Sequence, residues 1–213
     1  MVRTVKKPEE RRADIINAAR YLFETREYEN TTMQDVMNHL GIAKGTIYYY
    51  FTSKEELLEA VINDMVDENT AAMQNILDQA GGNAIDKIRL LVQAGNMAGE
   101  HEELLEQLHR PGNMGMHARG LAVALLKQAP LYAQLIEEGN QSGLFNVEHP
   151  LEAAEFILTS VQFLTDTGFY PWTPESLMRR AAALPVLIEN LLKAQPGSFD
   201  FLTPPTPANG SQQ

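Results

Sequence analysis

Residues 32–51 read TMQDVMNHLGIAKGTIYYYF, two short runs of helical period parted by a glycine-centred turn. Met33, Val36, Met37 and Leu40 fall at i, i+3, i+4 and i+7, one stripe that has to be buried, and Thr32 stands at the N-cap position. Gly41 ends that helix. A second short helix from about Ala43 turns Ile47 and Phe51 inward at i and i+4, and leaves Lys44, Thr46 and Tyr48 toward the opposite side. A recognition helix needs that division: apolar groups seat it on its neighbour, and donors or aromatics meet base edges and phosphates in the major groove. The pattern is a helix-turn-helix, and it points to duplex DNA.

Working outward, residues 9–26 keep a 3.6 period through Ile15, Ile16, Ala19, Leu22 and Phe23, with Glu9 and Glu10 where a helix dipole favours anions. This helix is expected to back the motif. Residues 1–8 are basic and end in Pro8, which reads as a flexible arm. On the other side Ser53 and Glu56 have capping-box spacing. Leu57, Leu58, Val61, Ile62, Met65 and Val66 then form a stripe that continues to about Gln79 and links the motif to the rest of the chain.

The runs TTMQDV (31–36), GIAKGTIYYYF (41–51) and KEELL (54–58) resemble the DNA-binding domain of the TetR/AcrR transcriptional regulators. The likeness covers roughly residues 10–60. It implies a homodimer, one head per subunit, a larger all-helical C-terminal domain that takes a small ligand, and repression released by that ligand. The positions that match DNA-contacting ones in the family are Thr32, Ala43, Lys44, Gly45, Thr46, Tyr48, Tyr49 and Lys54. Each has a physical role to play. Thr32 and Lys54 stand at helix starts, where backbone N–H groups attract phosphate; Lys44 suits guanine O6/N7 and the Thr46 methyl a thymine methyl; Gly45 allows close approach of the backbone. Tyr48 and Tyr49 can donate to phosphate oxygens, with partial burial the competing reading for Tyr49, and Tyr50 is expected on the inward side.

The chain has 213 residues, a net charge of −11 and no cysteine. Disulfides, thiolate zinc sites and thiol redox sensing are therefore excluded. Acidity argues against a nucleic-acid partner until its distribution is read. Residues 1–54 carry nine Lys/Arg against seven Asp/Glu, net +2, and residues 55–213 carry eight against twenty-one, net −13. The acidic part should project away from DNA and keep a dimer soluble. With no apolar run of spanning length and no signal segment, the cytoplasm is the expected compartment.

Gly81-Gly82, Arg110 to Asn113, Gly139 to Pro150 and Pro171 to Pro174 mark breaks between further helical patterns, and Pro130 interrupts or kinks one of them. Strand alternation is nowhere sustained. The fold expected is all-α with about nine helices: an arm (1–8), a three-helix DNA-binding head (9–54), a ligand-binding and dimerisation domain (55–194) and, from its Pro, Gly, Ser and Gln content, a disordered tail (195–213).

Two faces are candidates for contact between subunits. Ala154, Ile157, Leu158 and Val161 lie on one of the last two helices and Ala181, Ala182, Pro185 and Ile188 on the other, small and apolar enough for close packing. Wholly internal core is the competing reading. The ligand pocket is implied by the resemblance; polar or aromatic residues on apolar helices nominate Met97, His101, Leu105, Met114, His117, Leu121, Phe145, Phe163, Asp166 and Tyr170, and suggest an aromatic, lipophilic or amphipathic effector. His101 and His109 lie near one helical face and could join His117 around a metal, but the spacing is not that of a helical zinc site, and no metal or other cofactor is expected. Catalytic motifs are missing: no GxSxG, P-loop or dinucleotide fingerprint occurs, so an enzyme is not expected. A helix-turn-helix activator, or a regulator without a ligand, remains the open alternative.

Overall fold

A computed structural model describes residues 7–97 and 109–203, with the side chains of 95–97 left out. Among these residues there are eight α-helices and no strand: α1 (Pro8–Arg26), α2 (Met33–Leu40), α3 (Lys44–Tyr50), α4 (Lys54–Gln79), α5 (Ala84–Met97), α6 (Met114–Gln141), α7 (Pro150–Thr165) and α8 (Pro174–Leu192). Two 3-10 turns, Pro111–Asn113 and Asp200–Leu202, complete the regular structure. Helix α6 runs on through Pro130 rather than stopping there. None of the described helices is long and apolar enough to cross a membrane.

The chain divides into two compact units: Met1–Ala72 with Ala98–Ala124, and Met73–Met97 with Leu125–Gln213. The divisions fall inside α4 and α6, so the units do not coincide with the segments 9–54 and 55–194 drawn from the sequence. Spacing along a chain shows where a stripe begins, but which core takes it is a matter of long-range packing.

In the first unit Ile15, Ile16, Leu22 and Phe23 of α1, Val36 and Met37 of α2, Ile47 and Phe51 around α3, and Leu57, Leu58, Val61 and Ile62 of α4 form one core, joined by Met116 of α6. Burial of each such side chain contributes roughly 1.5–3 kcal/mol before chain entropy is counted. In the second unit Ile88 and Leu91 of α5, Leu135 and Ile136 of α6, Ala153 and Ala154 of α7, and Ile188 and Leu192 of α8 close around Phe145 and Phe199.

Residues 195–203 correct the expectation of a disordered tail. Lys193 turns the chain back at φ 53°, and Phe199 is 2% exposed, stacked on Phe145 with ring centres 6.1 Å apart. Its N–H donates at 3.0 Å to Oε1 of Glu189, and Phe201 lies under the Arg89 guanidinium. Proline and polar content governed the sequence reading, yet two phenylalanines supply enough apolar surface to order this stretch. Residues 204–213 and 1–6 of the arm lie outside the described residues.

Candidate nucleic-acid interface

The head is built from caps. Thr32 Oγ1 accepts the Asp35 N–H at 3.2 Å and Asp35 Oδ2 accepts the Thr32 N–H at 2.9 Å, a reciprocal pair that starts α2. The Thr32 hydroxyl also donates to Asp35 Oδ2, and this bond first, the Thr32 N–H second, holds the Asp35 carboxyl below the usual carboxylate range. Gly41 ends the helix at φ 63°, its N–H and that of Ile42 returning to the carbonyls of Asn38 and Met37 at 3.3 and 3.1 Å. A side chain at Gly41 would be strained there, so this glycine sets the turn.

Helix α3 then starts from Ala43, whose carbonyl takes the Thr46 N–H at 2.9 Å. Ile47 is its only fully buried residue; Lys44, Gly45, Tyr48 and Tyr49 are exposed and Thr46 and Tyr50 half-buried. Tyr49 is 79% exposed, which removes the competing reading of burial, and Tyr50 packs on the head core with its ring edge-on to Tyr49 at 4.9 Å. Lys44 holds its ammonium 5.6 Å from the Tyr48 ring centre. One apolar anchor below and a row of donors above is the arrangement that a groove-reading helix requires.

Lys54, expected at a phosphate, also makes bonds within the head. Its Nζ donates to the carbonyls of Tyr28 (2.8 Å) and Thr31 (3.0 Å) and lies over the Tyr28 ring at 4.0 Å. The Tyr28 carbonyl also accepts the Thr31 N–H at 3.1 Å within the turn, and the ammonium adds a charged donor to it and to the Thr31 carbonyl. At the same helix start Glu56 departs from a strict capping box: Ser53 Oγ accepts the Glu56 N–H at 3.1 Å, while the Glu56 carboxylate takes the N–H and hydroxyl of Thr52, each at 2.7 Å. Those bonds to Thr52 lower the Glu56 carboxyl.

Of the residues singled out for a ligand, Met97 has no described side chain and His101 and Leu105 lie outside the described residues. In the first unit Met114 and Leu121 are half-buried, and His117 is 4% exposed with its ring edge-on to His109 at 5.0 Å. In the second, Phe145 is core: its ring occupies the space a Cβ on Gly139 would fill. Phe163 and Tyr170 are exposed, stacked on Phe169 and tilted on Trp172 respectively, and Asp166 caps the end of α7 by accepting the N–H groups of Gly168 and Phe169. Among the described residues, one open groove of about 400 Å³ lies beside Arg12, Phe51, Glu59 and Asp64, and another of about 330 Å³ beside Val147, His149, Phe156 and Leu191. None of the described ligand candidates lines either of these two.

The subunit-contact candidates also sort by burial. Ala154, Pro185 and Ile188 are buried in the second unit, so they are internal; Ile157, Leu158, Val161 and Ala181 are half-buried and Ala182 exposed. The large outward apolar residues of α7 and α8 are instead Leu151, Phe156, Phe163, Leu164, Met178, Val186, Leu187 and Leu191. Small residues invite close packing, and for Ala154, Pro185 and Ile188 the packing partners lie in the same chain.

Comparison with known proteins brings the two ends of the chain under one description. Residues 15–61 match the family model of bacterial regulatory proteins of the tetR family, and residues 97–186 the tetracyclin repressor-like C-terminal domain. HTH-type transcriptional repressor KstR2 of Mycolicibacterium smegmatis is 34% identical over 98 residues, 46% of this chain and 47% of that protein. The match thus spans about half the length of that relative. Among solved structures, a TetR-family regulator described as putative, from Mesorhizobium loti, superposes with a TM-score of 0.63 at 19% identity over 88% of this chain and 98% of that one. RolR in complex with resorcinol gives 0.63 at 20% identity over 94% and 96%. At such identity these two show the fold.

Proposed function

The chain belongs to the TetR family of bacterial regulatory proteins, and on that premise we propose that it acts as a homodimeric repressor, reading an inverted-repeat operator and released by a small, mostly apolar effector. Helix α3 carries the reading: it buries Ile47 alone and presents Lys44, Tyr48 and Tyr49 on one exposed side. Lys44 reads a base edge, Thr46 a methyl, and Gly45 lets the backbone close on the duplex. Tyr48, Tyr49, Ala43 and Thr32 border the phosphates. Lys54 has one N–H direction left over for a phosphate after its two carbonyl bonds.

A single helix reads too few base pairs for an operator, so two heads related by a two-fold axis are required, with half-sites about 34–36 Å apart or at a related spacing. The exposed apolar residues of α7 and α8, Phe156 and Leu187 among them, are the proposed contact between subunits. Repression is supported by the KstR2 relative, which is named a repressor. The protein works without catalysis of its own, in the cytoplasm with the DNA it reads.

Selection of binding sites from a random duplex pool at physiological salt tests this directly. Enrichment of an inverted repeat is expected. A folded, dimeric preparation that enriches no repeat would sink the proposal.

A further inference from the structure

The turn between α1 and α2 is held from a direction the sequence does not announce. Asn113 is 0% exposed, and its side chain bridges two backbone groups some eighty-five residues upstream. Oδ1 accepts the Tyr28 N–H, and Nδ2 donates to the Phe23 carbonyl at 3.4 Å. Glu29 donates its own N–H to the Gly112 carbonyl at 3.3 Å. Lys54 Nζ donates to the carbonyls of Tyr28 and Thr31. Between these bonds Glu27 sits at φ 67°, ψ 149°, a conformation that a residue with a side chain holds only when its surroundings over-determine it.

The bridging amide fits one way only. Exchanging its oxygen and nitrogen would set N–H against N–H and carbonyl against carbonyl, so the bridge defines a register as apolar contacts do not. The apolar contribution of α6 to the head, from Met116, Val123 and Ala124, fills volume without direction. Pro111–Asn113 leads at once into α6, and the C-terminal family model counts this stretch as its own, whereas the fold places it in the unit of the head.

We infer that Asn113 is a positioning residue for operator recognition: it locks the α1–α2 turn, and with it α2 and the recognition helix, to the start of α6, so that each head of the dimer presents α3 in one orientation. The inference rests on the reading of the protein as a dimer on an inverted repeat.

The test is a spacing profile. Full-length protein is titrated against inverted repeats built from the selected half-site, with spacers lengthened and shortened one base pair at a time. Each step moves the second half-site by about 3.4 Å and turns it around the helix axis. Wild type should show one sharp optimum. Asn113→Ala, folded by circular dichroism, should lower the ratio of best to neighbouring spacing by about tenfold, the scale of one lost base contact, and should speed exchange of the Tyr28 amide proton. A profile of unchanged shape, at the same or a uniformly lower affinity, would mean that Asn113 only stabilises the fold and would overturn the inference. Should Asn113→Ala fail to fold, Asn113→Asp, which keeps the acceptor for Tyr28 but sets an oxygen against the Phe23 carbonyl, is the second variant: a broadened optimum supports the lock, and an unchanged sharp one overturns it. Absence of any preferred repeat in wild type is a different result, since it removes the dimeric reading itself and the inference with it.

Discussion

Lys54 grips Tyr28 twice: its ammonium lies 4.0 Å from the centre of the tyrosine ring and donates to the same residue's backbone carbonyl at 2.8 Å. A group that the sequence marks as a phosphate contact is thus spent largely on the turn that carries α2. Lys54→Ala should destabilise the protein by about 2–3 kcal/mol, from lost charged hydrogen bonds and the lost cation–π contact. Urea unfolding of the free protein is the check. No loss of stability would show the two carbonyl bonds to be energetically idle.

Lys44 is the counterpart, an exposed cation whose ammonium stands 5.6 Å from the centre of the Tyr48 ring. Lys44→Ala should leave folding within about 0.5 kcal/mol of wild type. Preference at one or two positions of each half-site should relax by about 1–3 kcal/mol if the ammonium meets a guanine edge. Titration against single-base variants of the selected operator separates this from a uniform loss, which would identify a phosphate contact.

Gly139 is needed for its missing side chain. A Cβ there would come within 2.0 Å of Phe145 Cδ2, against a ring that is itself buried on Phe199. Gly139→Ala should therefore destabilise by about 1–3 kcal/mol or more, overriding the roughly 1 kcal/mol that alanine offers a helix over glycine. A variant as stable as wild type would mean that Phe145 can leave its site at little cost.

Asp35 makes stability depend on acidity. Its folded carboxyl is held down, first by the bonds to Thr32, so it contributes stability that is present above the unfolded carboxylate range and is lost as pH falls through the folded value. Comparison of wild type with Asp35→Asn by urea midpoint should show a gap at neutral pH that narrows below about pH 4. A gap independent of pH would assign the effect to something other than the charge.

Phe156 and Leu187 stand 66% and 60% exposed on α7 and α8, whereas Ile188 beside them is 7% exposed. Phe156→Glu and Leu187→Glu should give a folded protein that sediments as a monomer. Ile188→Glu should unfold it, because the charge would enter the core unpaired. A dimer that survives both surface changes would move the interface elsewhere.

The head was legible in the sequence because what makes it is local. Thr32 caps α2 across three residues, Gly41 supplies a left-handed turn within one, and the stripe through Met33, Val36 and Met37 is a matter of helical period; each is a short-range constraint that a string of letters carries intact. The exposed side of α3 follows from the same period once Ile47 is known to point inward. Sequence also showed a chain that is helical throughout, with its basic residues gathered toward the head.

Only the tertiary structure decided which of several compatible partners each remaining group takes. Lys54 bonded the turn at Tyr28, Asn113 reached back to the same turn, and Ala154, Pro185 and Ile188 were drawn inside, leaving Phe156 and Leu187 on the surface. Phe199 closed the second core from a stretch whose composition reads as tail. The physical reason is common to all of these: a side chain's period names the face it occupies, but its bonds and its burial depend on groups brought near by the folding of distant segments.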